Sequence, residues 1–512
     1  MTAFDSALDG ALGAAFGRLP GTAEDPQEPT GTVLPRLVVS APGSGHGKTT
    51  LATGLMAALR ARGLGVAGFK VGPDFIDPGY HSLATGRPGR NLDPFLTSQA
   101  LVAPMLVHGA TADGPTDVAV IEGVMGLFDG RIGGDGYAST AHVASLTRSP
   151  IVLALDVSHM TRTAAAIVHG LATFEPGARV AGVVLNKAAS GRHMREVWSA
   201  LDATGVPVLG VLPRDAGIEA PSRHLGLVPA AERDEAEDSI ALLAERVAEH
   251  VDLDHVMSIA RSAADLDDAA WDATAALGDA ARRDLARPGS EGRRPVVAVA
   301  GGRAFTFRYA ETDELLRAAG LEPVVFDPLT SPRLPTGTAG LYLGGGFPEV
   351  HAEELSANSS LREDIRRSVA AGLPTVAECA GMLYLSASVD GNEMVGVIPG
   401  VGSMGPRLTL GYRTAVAPGD SVLGVPGTRV TGHEFHRTTV SADPAGHIAR
   451  PAAWLLDGTP DGFALDPAGT GRATVHASYL HTHWAGHPHL AGRFADAVHA
   501  YAARAGSSRR AS

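Results

Sequence analysis

The sequence predicts an α/β protein built from two tandem, doubly wound domains. Three observations lead there. Short β-rich runs alternate with helical stretches from Leu37 onward, the pattern of a parallel sheet with crossover helices. A second such alternation starts at Val296. Between the two lies Gly278–Pro295 (GDAARRDLARPGSEGRRP), which reads as a linker.

Strand-like runs of the first half are Leu37–Ala41, Val66–Lys70, Asp117–Glu122, Ile151–Asp156, Val180–Asn186 and Val208–Leu212, with helices expected at Thr49–Arg62 and Thr161–Leu171. Ala- and charge-rich residues from about 230 to 294 read as helices followed by the linker. The second half offers strands at Val296–Ala300, Pro323–Phe326, Gly340–Leu343 and Pro374–Glu378, and helices at Tyr309–Ala319, Glu353–Ala371 and Leu490–Ala503. The expected division is an extension over residues 1–34, an ATP-binding domain over 35–260, a linker over 261–294 and a second domain over 295–505. Phe4, Leu8, Leu12, Phe16 and Leu19 fall near helical spacing, so the extension reads equally as a docking helix or as a Pro/Gly-rich disordered arm.

A chain of 512 residues exceeds one ordinary core. It contains no apolar run long enough to span a membrane, and its N-terminus lacks the features of a signal peptide. One cysteine builds neither a disulfide frame nor a cysteine zinc site, so a reducing, cytoplasmic setting is expected. The net charge of −13 argues against bulk nucleic-acid binding.

The stretch Arg36–Thr50, RLVVSAPGSGHGKTT, is a strand, a Gly-rich turn and a helix start. Backbone N–H groups at Gly45 and Gly47, with Thr50 at the helix start, can cradle phosphates; Lys48 reaches the outer phosphates and the Thr49 hydroxyl can ligate Mg²⁺. Pro42 stands where the usual pattern has glycine. Glu122 ends an apolar strand and can hold Mg²⁺ or its waters. Asn186 ends another, suited either to an adenine edge or to a helix cap. The loop KVGPDFIDPGYHSLATGRPGRNLDPF carries Asp74, Asp77 and Asp93, and Asp129 follows in GLFDG; such loop acids serve ligands or cap turns.

In the second half, PTVAECAGMLY is a strand, then Cys379, then a helix, with Gly381 permitting tight packing. A helix N-terminus favours the thiolate. The Gly344–Glu349 turn, through Gly345 and Gly346, could form an oxyanion hole together with the Ala380 N–H. His481 follows a β-like run and is the expected base, with His483 and the GHEFH cluster (432–436) as competitors; metal binding by these histidines is the alternative.

Eight segments in this order, SAPGSGHGKTT, KVGPDFIDPGY, EGVMGLFDG, PSRHLGLV, LGGGFPE, AECAGMLYL, GHEFH and SYLHTH, resemble the cobyrinic/hydrogenobyrinic acid a,c-diamide synthases over roughly Pro35–His499. The resemblance implies a dethiobiotin synthetase-like P-loop domain followed by a class I glutamine amidotransferase domain. It implies Cys379 as nucleophile and His481 as its partner, with Thr482 and His483 where other class I enzymes carry Pro-x-Glu, so the third acid is not expected at its standard place. It assigns Gly45 to Thr50 to phosphate, Thr49, Asp74 and Glu122 to Mg²⁺, Asn186 to adenine, and Asp77 and Asp129 to the carboxylate substrate. The implied activity is ATP- and L-glutamine-dependent amidation of the a and c carboxylates of a corrinoid, cobalt-free by preference. Homodimerisation is left open, and neither nucleic acid nor membrane is a partner. A cobyric acid synthase-like ligase, or a P-loop switch with a dead glutaminase, is the competing reading.

Overall fold

The computed structural model describes residues 31–188, 191–214, 222–223, 226–227, 236–278, 294–442 and 451–511. The extension up to residue 30, the core of the linker and half of PSRHLGLV lie outside the described residues.

The N-terminal sheet contains β1 (Arg36–Ser40), β2 (Val66–Val71), β3 (Arg90–Leu92), β4 (Val118–Glu122), β5 (Ile151–Asp156), β6 (Val180–Ala188) and β7 (Val208–Pro213). Its order is β3-β2-β4-β1-β5-β6-β7, and every pairing is parallel. β1, β2 and β4 are buried along their whole length, which explains their continuous apolar runs: both faces are covered by helices. After β1 the chain enters α1 (Lys48–Ala61), and after β2 it enters α2 (Asp77–Thr85). Two-residue strands β8 (Ser222–Arg223) and β9 (Gly226–Leu227) form an antiparallel pair. The helices expected beyond residue 230 are Ala236–His250, Leu253–Arg261 and Ala273–Leu277. Among the described residues, no helix is long and apolar enough to cross a membrane.

The second sheet draws on β10 (Val296–Ala300), β11 (Glu322–Phe326), β12 (Thr338–Leu343) and β13 (Thr375–Glu378). The expected helix over 353–371 is two, Ala352–Ala357 and Ser359–Ala370, because Asn358 breaks the run and its side chain caps the second at Leu361 N. Beyond β13 come β14 (Ser388–Val389), β15 (Asn392–Glu393), and a long antiparallel ribbon of β16 (Gly400–Val416) and β17 (Arg429–Ala442). Then follow β18 (Trp454–Leu456), β19 (Thr459–Asp461), β20 (Phe463–Leu465), β21 (Val475–Ser478) and β22 (His481–Thr482). The second sheet runs β11-β10-β12-β13-β21-β20, parallel except at its β20 edge. β22 pairs instead with β17 of the ribbon, setting His433 opposite His481.

The two domains meet over a buried face. Arg90 on β3, almost fully enclosed, pairs with Glu311 at 2.7 Å and Glu314 at 2.6 Å, both on the helix Ala310–Ala318. Tyr412 on the ribbon donates to Asp93 at 2.7 Å.

Candidate active site

Two candidate centres are present, one in each domain. The first sits at the C-terminal ends of β1, β2 and β4, beside the point where the strand order reverses, where open α/β sheets bind ligands. Lys48 is buried and donates to the Gly43 carbonyl at 2.9 Å, bracing the loop. Burial, followed by the neighbouring Lys70 charge, pushes its ammonium down to about 8. A phosphate would restore the charge balance there. The Asn186 amide donates to the His46 carbonyl at 3.0 Å and so supports the loop from beneath.

Parallel register sets Lys70 at the end of β2 opposite Glu122 at the end of β4. Lys70 Nζ reaches Asp77 at 2.5 Å and Glu122 at 2.8 Å, and His81 Nε2 lies 2.7 Å from Glu122. The Thr49 hydroxyl donates to Glu122 at 2.6 Å and lies 3.4 Å from Asp77. Burial opposes ionisation of Glu122, but Lys70 and His81 together outweigh it and hold the carboxyl well below its ordinary range. Burial, then the charges of Asp74 and Glu122, pushes Asp77 well above its usual value. Oxygens of Asp77 and Glu122 thus converge on one buried ammonium, with the Thr49 hydroxyl bound to Glu122.

Asp74 and Asp77 divide the work differently from the expectation. Asp74 Oδ1 accepts the N–H groups of Ile76 (2.8 Å) and Asp77 (3.1 Å), capping the start of α2, while Asp77 turns toward Thr49. Asp129 accepts the Gly126 N–H at 3.0 Å, a turn cap. Neither Lys70 nor His81 was singled out from the sequence. Lys70 was detectable as a charge closing an apolar strand, but His81 carries no local signal.

The second centre is the turn after β13. Cys379 sits at φ 48°, a conformation disfavoured for any residue with a Cβ, and opens the helix Ala380–Leu385. Its N–H is held by the Ser478 carbonyl at 2.7 Å. A Cβ at Gly381 would come within 2.3 Å of the Leu343 carbonyl, so only glycine lets the helix approach β12. Burial, then the Glu349 charge, pushes the thiol far up, with the Ala380 N–H opposing. Burial pushes His481 well down, reinforced by His433 and His436. Both shifts favour the uncharged forms, thiol and imidazole.

Gly345 does not fit its expected place in an oxyanion hole. Its N–H donates to the Phe307 carbonyl at 3.0 Å, and a Cβ there would meet His481 Cε1 at 2.6 Å; it is the floor beneath the imidazole. The Ala380 N–H, also expected there, faces the Cys379 sulfur. His483 points elsewhere: its ring lies 4.0 Å from that of Tyr309, and Nε2 is 3.6 Å from Glu311. His433 stacks on His481 with centroids 4.9 Å apart, and His436 stacks on Tyr479 at 3.7 Å. Among the described residues, no group of three or more His, Cys, Asp or Glu side chains is arranged to hold a metal ion, so the histidine-metal alternative finds no support.

A cavity of about 960 Å³ joins the two halves. The phosphate loop, Lys70, Asp74, Phe75, Asp77 and Glu122 line one side; Tyr412, Arg413, His433 and Phe435 line the other. Its size suits a large ligand held across a domain interface.

Comparison with known proteins agrees with both halves. Residues 37–228 match the CobQ/CobB/MinD/ParA nucleotide binding domain, and residues 296–489 match the CobB/CobQ-like glutamine amidotransferase domain. The chain is 61% identical to a hydrogenobyrinate a,c-diamide synthase of Thermobifida fusca, over 91% of this chain and 97% of the relative. The hydrogenobyrinate a,c-diamide synthase of Streptomyces coelicolor is 52% identical, over 91% of this chain and 98% of the relative. A cobyrinate a,c-diamide synthase of Synechococcus sp. is 41% identical, over 90% of this chain and 98% of the relative. A nucleotide-binding domain joined to a glutamine amidotransferase domain, matched along nearly its whole length, places this chain in the family of hydrogenobyrinate and cobyrinate a,c-diamide synthases.

Proposed function

We propose that this enzyme converts the a and c side-chain carboxylates of a corrin ring to amides, using ATP and glutamine, in cobalamin biosynthesis. The observation that carries the reading is the single cavity lined both by the phosphate loop and by the amidotransferase ribbon. One pocket of that size can hold a macrocycle against the nucleotide while receiving nitrogen from the second domain.

The chemistry divides between the two centres. In the first, a corrin carboxylate oxygen attacks the γ-phosphorus of ATP, the bond to the β-bridging oxygen breaks, and an acyl phosphate and ADP result. Lys48 offsets charge on the transferring phosphoryl group, and Asn186 keeps the loop in register. The oxygens of Thr49 and Glu122, with Asp77 beside them, fit Mg²⁺, which takes few protein ligands and completes its shell with phosphate and water. When bound there, Mg²⁺ would neutralise phosphate charge. Asp129 is too engaged in its turn to be the first choice for substrate. In the second centre, Cys379 Sγ attacks the glutamine amide carbon after giving its proton to His481. The C–N bond breaks as His481 returns the proton to the departing ammonia, and water then releases glutamate from the thioester. Ammonia displaces phosphate from the acyl phosphate, forming the amide. Each amide consumes one ATP and one glutamine.

The corrin is hydrogenobyrinic acid on this reading, because relatives bearing that name reach 61% identity whereas the cobyrinate synthase of Synechococcus sp. stands at 41%. ATP, glutamine and an unpaired cysteine fit work in the cytoplasm. The deciding experiment is mass spectrometry over a time course with hydrogenobyrinic acid, ATP, Mg²⁺ and glutamine. A free monoamide should rise before the diamide, since one phosphate site cannot reach two remote carboxylates in a single pose. A product ending at one amide, or carrying four, would overturn the reading.

A further inference from the structure

His481 is fully buried, and neither ring nitrogen has a hydrogen-bond partner among the described residues. An unsupported imidazole is a poor base, because nothing fixes its tautomer or balances the imidazolium it becomes. The position two residues on is His483, which faces Glu311 and Tyr309 instead. A carboxylate does reach His481 from another direction. Glu378, the residue immediately before the nucleophile, sets Oε2 at 3.9 Å from His481 Nδ1. It is the only carboxylate within ion-pair distance of that ring among the described residues.

Three donors clamp Glu378 in this place. Oε1 accepts the Thr482 hydroxyl at 2.9 Å and the Thr482 N–H at 3.3 Å, and Oε2 accepts the Tyr342 hydroxyl at 3.0 Å. Thr482 belongs to β22, the same short strand as His481, so carboxylate and imidazole are tied to one piece of backbone. Gly345, where a Cβ would collide with His481 Cε1, and His433, stacked on the ring, confine the imidazole.

We infer that Glu378 is the positioning residue for His481: it holds the imidazole with its proton on Nδ1, leaving Nε2 for the Cys379 thiol, and balances the imidazolium formed when the thiol ionises. The acid that other class I enzymes place after the histidine is here supplied from the residue before the cysteine. The inference rests on Cys379 and His481 being the glutaminase pair. Burial pushes the Glu378 carboxyl up to about 7, against the hydrogen bonds from Thr482 and Tyr342. A neighbouring imidazolium would complete its ionisation at the moment the charge is needed.

The test uses the full chain with its corrin substrate and compares Glu378→Gln, Tyr342→Phe, Thr482→Val and His481→Asn. Glu378→Gln should lower glutamine-supported kcat by about 100-fold with KM for glutamine little changed, and slow alkylation of Cys379 by a glutamine-like diazoketone to match. Synthesis from ammonium salt should persist, which shows that the variant is folded. Tyr342→Phe and Thr482→Val keep the carboxylate and should lose no more than about tenfold. Glu378→Asp, which keeps the charge on a shorter stem, should recover part of the loss and serves if the Gln variant does not fold. Equal losses in Glu378→Gln and Tyr342→Phe, or a raised KM at unchanged kcat, would make Glu378 a structural tie and overturn the inference. Intact glutamine turnover in His481→Asn would instead remove the pair on which it rests.

Discussion

Phe75 of the nucleotide-binding domain stacks against His481 of the amidotransferase domain, ring centroids 6.4 Å apart and planes 25° from parallel. The ring also meets Phe307 at 4.9 Å, Phe435 at 5.4 Å and Phe347 at 5.7 Å. Phe75 follows Asp74 and lies two residues before Asp77, so one loop both turns Asp77 toward Thr49 and packs against His481. A path for ammonia beside this aromatic cluster would be shielded from water, in which ammonia becomes the non-nucleophilic ammonium ion. Phe75→Ala should therefore uncouple the two reactions. Glutamate released per amide formed should rise several-fold above one, while the glutaminase rate itself holds. The truncation should also cost about 3 kcal/mol of packing, visible as a lower Tm. A ratio that stays at one would mean the passage does not run past this ring.

The two centres should separate by nitrogen donor. Cys379→Ser removes the only thiol and should cut glutamine-supported synthesis by more than about 1,000-fold while leaving synthesis from ammonium salt intact. Lys48→Ala should lower synthesis from either donor by about 100-fold or more, because phosphoryl transfer precedes both. Steady-state assays with glutamine and with ammonium chloride, on both variants, check the crossing pattern. Loss of the ammonium reaction in a folded Cys379→Ser protein would contradict it.

What the sequence made legible were features carried by neighbouring residues. The glycine-rich turn after β1, the strand ending in Glu122 and the cysteine between strand and helix each sit in one short window. What stayed hidden depended on register and on loop geometry. The Lys70–Glu122 contact follows from strands 52 residues apart being adjacent in the sheet. Glu378 reads as an ordinary strand terminus until β22 folds over it. Asp74 and Asp77 are both loop acids in sequence, and only the start of α2 decides that Asp74 caps it. The Gly- and His-rich C-terminal portion reads as shorter strands, whereas β16 and β17 form a long ribbon, because its glycines, threonines and exposed positions lack the alternation of a half-buried strand.

His481 and His483 should differ sharply on substitution. His481 stands over the Gly345 floor and 3.9 Å from Glu378, whereas His483 packs on Tyr309 beside the Arg90–Glu311 pair. His481→Asn should lower the glutaminase rate by at least about 100-fold with ammonium-supported synthesis retained. His483→Asn should act mainly on stability and on coupling between the domains, with a glutaminase loss of less than about tenfold. Glutaminase assays beside thermal melts distinguish the two. A larger catalytic loss at His483 would transfer the base to that residue.

Asp93 offers a test of the domain interface through pH. It is fully buried, accepts the Tyr412 hydroxyl at 2.7 Å and the N–H groups of Phe95 (2.8 Å) and Leu96 (3.1 Å). Burial is the largest influence and pushes its carboxyl from 3.8 up to about 6, the three hydrogen bonds opposing. A raised carboxyl binds its proton more tightly in the folded protein than in the unfolded chain. Its contribution is therefore fully present below about pH 4 and is lost as pH rises through about 6, a cost on the order of 3 kcal/mol at neutral pH. Asp93→Asn cannot ionise, keeps an oxygen for the two backbone N–H groups, and turns its amide toward Tyr412. Its Tm should equal or exceed the wild-type value at pH 7.5, and the difference should shrink or reverse as pH falls from 6 to 4. Calorimetry at several pH values in that window measures it. A difference constant across the window would show that Asp93 does not titrate there, and that the Tyr412 bond between the domains joins a carboxylate ionised throughout.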